Sequence, residues 1–111
     1  MTTSIPINQA KADLFRTLGH PVRIRVLELL VERPTPVRDL LATIDVESSN
    51  LSQQLAVLRR AGLVTSTREG SLVIYSVTTS AVADLLLAGR AILDSLWSDT
   101  EGLLHELRDG N

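Results

Sequence analysis

Residues 47–64 read ESSNLSQQLAVLRRAGLV, from Glu47 to Val64. Leu51, Leu55 and Leu58 keep the three-and-four spacing of one helix face, and at about 100° per residue they share an arc of about 60°. Ser49, Gln53 and Arg60 fall about 160° to 200° from Leu51, flanked by Asn50 and Ala56. Ser52 and Arg59 occupy one shoulder of the wheel and Gln54 the other. A cap from Glu47, Ser48 or Ser49 opens this helix, and Gly62 ends it after Ala61. The outward face is therefore uncharged and rich in hydrogen-bonding groups near its start, then cationic. A polar face is by default a solvated one, so the segments on either side decide its meaning.

Immediately upstream, Thr35-Pro36 pairs a hydroxyl cap with a proline suited to the first helical position, which predicts a short helix from Pro36 to about Thr43 packing Val37, Leu40 and Leu41. A turn through Asp45-Val46 joins it to the next helix, and residues 35–62 form a helix-turn-helix. Downstream the period changes. Leu63 to Arg68 and Leu72 to Val77 are short runs rich in Val, Ile, Thr and Tyr, separated by Glu69-Gly70-Ser71, so residues 63–78 read as a two-stranded hairpin, a wing.

Two further helices precede this unit and one follows it. Ala10, Leu14, Phe15 and Leu18 line an amphipathic helix within residues 1–19, stopping before Gly19-His20-Pro21. Pro21 opens a second helix that buries Ile24, Leu27, Leu30 and Val31 and ends before Pro34. Within residues 79–108, Val82, Leu85, Leu86, Leu93, Leu96, Trp97, Leu103, Leu104 and Leu107 form an apolar stripe too wide for so short a chain to cover. A second copy is the expected cover, with residues 1–19 and 79–108 as dimerisation helices. The predicted fold is one domain, residues 1–111, mainly α with a small β-hairpin: four helices, two strands and a last helix.

Composition narrows the function. The chain has 111 residues, 44% of them hydrophobic, enough for a single core. It has no cysteine, which removes disulfides, thiolate metal sites and thiol redox sensing. Its start lacks the basic and apolar runs of a signal peptide and no segment has the apolar length of a membrane span, so a cytoplasmic protein without a membrane partner is expected. The net charge of −2 hides an uneven distribution. Residues 48–68 carry Arg59, Arg60 and Arg68 and no acid, whereas the tail carries Asp84, Asp94, Asp99, Glu101, Glu106 and Asp109.

A helix with Gln and Asn outward, small Ser and Ala between them and arginines at its end suits the DNA major groove, where carboxamides bracket base edges and arginines neutralise phosphates. The rival reading is a winged helix used as a protein-interaction module, its basic face docking an acidic partner. Catalysis is not expected, because two isolated histidines and scattered carboxylates offer no convergent titratable constellation.

The order Phe15-x-x-Leu18-x-His20-Pro21-x-Arg23, then Ile24 and Leu27, then Ser52-Gln53-Gln54-Leu55-x-x-Leu58-Arg59-x-Ala61-Gly62-Leu63-Val64, then Arg68-x-Gly70 and Tyr75, resembles the ArsR/SmtB family of winged-helix repressors, in particular cysteine-free actinobacterial members. The resemblance implies a homodimer joined by the first and last helices, its fourth helices entering successive major grooves of a palindromic operator in double-stranded DNA. It places base and phosphate contacts on Ser49, Asn50, Ser52, Gln53 and Gln54, with Ser48 beside them and Arg59 and Arg60 on the phosphates. Family members often have histidine where this chain has Gln53 and Gln54, so a different base preference is expected. The family's wing often has Arg or Lys just after the glycine; here that place is Ser71, which makes Arg68 the stronger wing contact and Thr67 a weaker one. Leu14, Phe15, Leu85, Leu86, Leu93, Leu96, Trp97 and Leu104 are the expected interface.

The family's metal sites are not matched. Val37-Arg38-Asp39-Leu40-Leu41 offers no thiolate, and His105 has only Glu101 and Asp109 at four-residue spacing, more in keeping with a solvated helix end than a metal site. No cofactor is expected, and any small-molecule or protein effector is unnamed by the sequence. His20 reads as a structural cap or phosphate contact. Arg23, Arg25 and Arg38 read either as phosphate contacts or as surface partners of Glu28, Glu32 and Asp39.

Overall fold

The computed structural model describes residues 4–109, without the side chains of 101 and 103–109. In chain order the elements are α1 (Ile7–Leu18), α2 (Pro21–Glu32), β1 (Thr35–Pro36), α3 (Val37–Thr43), α4 (Ser48–Arg60), β2 (Val64–Glu69), β3 (Leu72–Val77) and α5 (Ala81–Asp109). The five helices and the wing fall where the apolar periods predict them.

Local chemistry accounts for the boundaries. His20 caps α2, its Nδ1 accepting the Val22 N–H at 3.1 Å, and Pro21 takes the first helical position. At the end of α4 the Leu63 N–H donates to the Leu58 carbonyl and the Gly62 N–H to the Arg59 carbonyl, both at 3.0 Å. This is a Schellman closure, and it requires the left-handed φ of 78° that Gly62 adopts. In the wing, Glu69 belongs to β2 and pairs with Leu72, leaving Gly70-Ser71 as a two-residue turn. Gly70 has φ 62° and Ser71 does not take positive φ, the pattern of a type II′ hairpin turn.

One boundary differs from the sequence reading. Thr35 and Pro36 are not the start of α3 but a short strand antiparallel to β3, Thr35 opposite Tyr75 and Pro36 opposite Ile74. The sheet therefore has three strands in the order β1-β3-β2. A proline ring fixes φ near a value common to helix and extended chain; Pro36 has φ −64° and ψ 148°, so tertiary pairing set the ψ that the ring leaves free. As an edge strand, β1 tolerates the missing N–H.

Leu18, Val26, Leu27, Leu30, Leu40, Ile44, Leu51, Leu55, Leu58, Val64 and Val82 form one buried cluster that joins the ends of α1 and α3 to α2, α4, β2 and the first turn of α5. Val26, not Ile24, faces this core with Leu27 and Leu30; Ile24 is 36% exposed, on the side of α2 turned toward α5. Both residues fit an apolar stripe, and only the position of α5 separates them. Beyond Leu86, α5 leaves the core, and every described side chain from Leu87 to Thr100 is exposed.

Candidate nucleic-acid interface

Three fully or nearly fully buried leucines, 51, 55 and 58, hold α4 in the core. At about 25 cal/mol per Å² of apolar surface, each contributes roughly 1.5–3 kcal/mol toward keeping the helix in one rotational setting. That setting turns Ser48, Ser49, Ser52, Gln53, Ala56, Arg59 and Arg60 to the exterior. Glu47 is the N-cap but its carboxylate makes no capping bond. The first helical bond is Leu51 N–H to the Glu47 carbonyl, at 3.0 Å, so the N–H groups of Ser48, Ser49 and Asn50 lie ahead of it without an intrahelical acceptor.

Gln54 does not join the outward group. It is 9% exposed, its Oε1 accepts from Arg23 Nε at 2.8 Å, and its Nε2 donates to Asn50 Oδ1 at 2.9 Å. Arg23 also donates through Nη1 to the Thr17 carbonyl in α1, at 2.9 Å. The carboxamide is drawn inward because α2 supplies a charged donor at the flank of α4, where a buried amide needs partners. Asn50 is half-buried between this network and the surface. Gln54, expected at the base edges, is thus buried and hydrogen-bonded within the protein, and Arg23 is engaged with Gln54 and Thr17 and not with a carboxylate among the described residues. Sequence reading had no local signal for this, since the two residues lie 31 positions apart.

The other arginines that the sequence offered as DNA contacts differ in whether an acid neutralises them. Arg25 pairs with Glu28 at 3.7 Å and Arg38 with Asp39 at 3.6 Å, both exposed pairs of the kind that stabilise little. Among the described residues Arg59, Arg60 and Arg68 have no ion-pair partner. Arg59 and Arg60 end α4; Arg68 lies on β2 of the wing, and Ser71 and Thr67 are also exposed there. Positive charge thus closes the C-terminal end of an uncharged, hydrogen-bonding helix face, and Arg68 adds a further cation on the wing.

Of the expected interface residues, Phe15, Leu93, Leu96 and Trp97 are exposed, Phe15 by 56% and Trp97 by 58%, and Leu14, Leu85 and Leu86 are half-buried. Phe15, Ile24, Leu93 and Trp97 help line an open apolar groove of about 620 Å³ between α1, α2 and α5. Ile24 and Ile92 belong to this surface too, although the sequence reading did not assign them to it. The interface candidate Leu104 and the weak metal candidate Glu101, His105 and Asp109 fall on side chains outside the described ones.

The helix-turn-helix domain family matches residues 18–67. The HTH-type transcriptional regulator Rv0081 of Mycobacterium tuberculosis is 50% identical over 108 residues, 96% of this chain and 95% of its own. Its crystal structure superposes with a TM-score of 0.80 at 51% identity, over 87% of this chain and 98% of that one. The transcriptional repressor BigR from Xylella fastidiosa gives a TM-score of 0.72 at 36% identity, covering 77% of this chain and 87% of that one. The HTH-type transcriptional repressor SmtB of M. tuberculosis is 35% identical over 73% of this chain and 60% of its own. By motif order, architecture and these likenesses, the chain belongs to the ArsR/SmtB family of winged helix-turn-helix DNA-binding transcriptional regulators.

Proposed function

We propose that two copies of this chain join through α1 and α5 and repress transcription by placing both α4 helices in successive major grooves of an inverted-repeat operator. The observation that carries this reading is the two-sidedness of α4: a leucine seam sunk in the core, and opposite it Ser49, Ser52, Gln53 and Arg60 in solvent. Gln53 supplies a donor and an acceptor to a base edge. The three leading N–H groups of α4, with Arg59 and Arg60, face phosphates, and Arg68 serves the flanking backbone from the wing. Half-sites about one helical turn, roughly 34 Å, apart suit such a dimer.

Dimerisation is supported by what one copy leaves uncovered. The radius of gyration is 18.2 Å, against about 13 Å for a compact chain of roughly 100 residues, because α5 extends past the core with its apolar stripe bare. A small molecule or protein that favours one relative orientation of the two α4 helices would tune operator affinity. The repressors among its relatives support repression as the output.

Fragments of the source genome captured by the purified protein, followed by mobility-shift titration against scrambled duplexes, test the reading. A recovered inverted repeat bound at least tenfold above scrambled DNA is the expected result. Equal binding to both would instead favour the protein-interaction module.

A further inference from the structure

We propose that Arg23, which lies off the exposed face of α4, fixes the hydrogen-bonding sign of Asn50 and thereby decides which base edges that position reads. The proposal rests on the assignment of α4 to the major groove. A guanidinium has donors only. Gln54 must therefore turn its oxygen to Arg23, and it does so at 2.8 Å. Its amino group is then on the other side of the carboxamide, where it can only donate, and Asn50 Oδ1 accepts it at 2.9 Å. Arg23 itself is anchored on the Thr17 carbonyl at 2.9 Å. One donor-only group at the head of the relay thus sets the orientation of two amides whose oxygen and nitrogen are otherwise interchangeable in shape.

The consequence falls on the exposed side of Asn50. An asparagine free to turn presents a donor and an acceptor together and brackets the N6 and N7 of adenine. Asn50 has its oxygen committed inward to Gln54, so the groove meets its amino group. That is complementary to edges made of acceptors, guanine O6 and N7 or thymine O4, and opposed to the N4 amino group of cytosine. Gln53 is exposed and has no side-chain hydrogen bond among the described residues, so it keeps both signs. Two neighbouring carboxamides on one helix therefore read differently, and the difference is set by a positioning residue in α2.

Selection from a randomised duplex library with wild type, Asn50→Ala and Gln54→Glu tests this. Asn50→Ala identifies the base pair that Asn50 reads by erasing its preference. Every pair joins a guanine or thymine to an adenine or cytosine, so duplexes lacking one exocyclic group at that pair identify the edge read: removing the keto oxygen of guanine or thymine should weaken wild type by roughly tenfold, and removing the amino group of adenine or cytosine should not. In Gln54→Glu the introduced carboxylate would still accept from Arg23 but could only accept from Asn50, whose amino group must swing inward and leave its oxygen outward. The sensitivity should then invert, with loss of the amino group of adenine or cytosine weakening binding by roughly tenfold and loss of the keto oxygen not. An unchanged sensitivity in Gln54→Glu, a wild type weakened by loss of the amino group and not of the keto oxygen, or no pair affected by Asn50→Ala overturns the relay while leaving α4 as the reading helix. A wild type that enriches no sequence removes that helix assignment and the relay with it. Should Gln54→Glu not fold, side-chain hydrogen exchange in the wild-type protein decides: Arg23 Nε–H and the Gln54 carboxamide protons should be protected and the Asn50 carboxamide protons not. Protected Asn50 protons would mean that its amino group faces inward, and would overturn the proposal.

Discussion

Gln53 and Arg60 share one exposed face of α4 and should fail differently when truncated. Gln53→Ala removes a proposed base contact and is expected to weaken operator binding by about 1–3 kcal/mol while relaxing base preference at one position. Arg60→Ala removes a proposed phosphate contact and should weaken all duplexes alike, lowering the salt slope by about one. Mobility-shift titrations at several salt concentrations separate the two, and a sequence-dependent loss in Arg60→Ala would contradict its assignment. Gly62 is a third informative position. A Cβ there meets nothing within 4 Å, so Gly62→Ala should cost only the left-handed backbone penalty at φ 78°, about 1–2 kcal/mol in urea unfolding. No loss would mean that the Schellman closure of α4 is not needed.

Each element shows how far local patterning reaches. The spacing of Leu51, Leu55 and Leu58 places α4 and its buried side, and Gly62 its end, because both depend on residues within a turn or two. Leu58→Ala, at a fully buried position, is expected to cost about 2–5 kcal/mol, a large share of the roughly 5–15 kcal/mol that a small domain has. Thermal unfolding should register this before any change in base preference does. An operator preference altered at full stability would mean that the seam does more than hold the helix. Pro36 illustrates the opposite case: its φ suits a helix start and a strand equally, and β3, some forty residues on, decides for the strand.

For the whole molecule the decisive feature is the bare stripe on α5. Trp97→Glu places a charge in the middle of the surface that a second copy is proposed to cover. It should yield a monomer by light scattering at micromolar concentration and weaken operator binding by at least tenfold, since each head then binds without the effective concentration that its partner supplies. A dimer that persists in Trp97→Glu would move the interface away from this groove. Ile24 reads as core and Ile92 goes unassigned in the sequence because apolar residues at helical spacing look alike whether they face a core or a partner.

From the sequence alone came the helix-turn-helix and wing, the leucine seam that orients α4, the cationic end of that helix and the excess of apolar surface that calls for a second copy. These follow from hydrophobic period, turn residues and charge, which act over a few positions along the chain. The tertiary structure alone decided that Thr35-Pro36 joins the sheet, that Val26 and not Ile24 enters the core, and that Gln54 turns away from the surface. The last depends on Arg23, 31 positions earlier. A polar side chain goes where its hydrogen bonds are met, and only the packing of α2 against α4 brings that donor within reach.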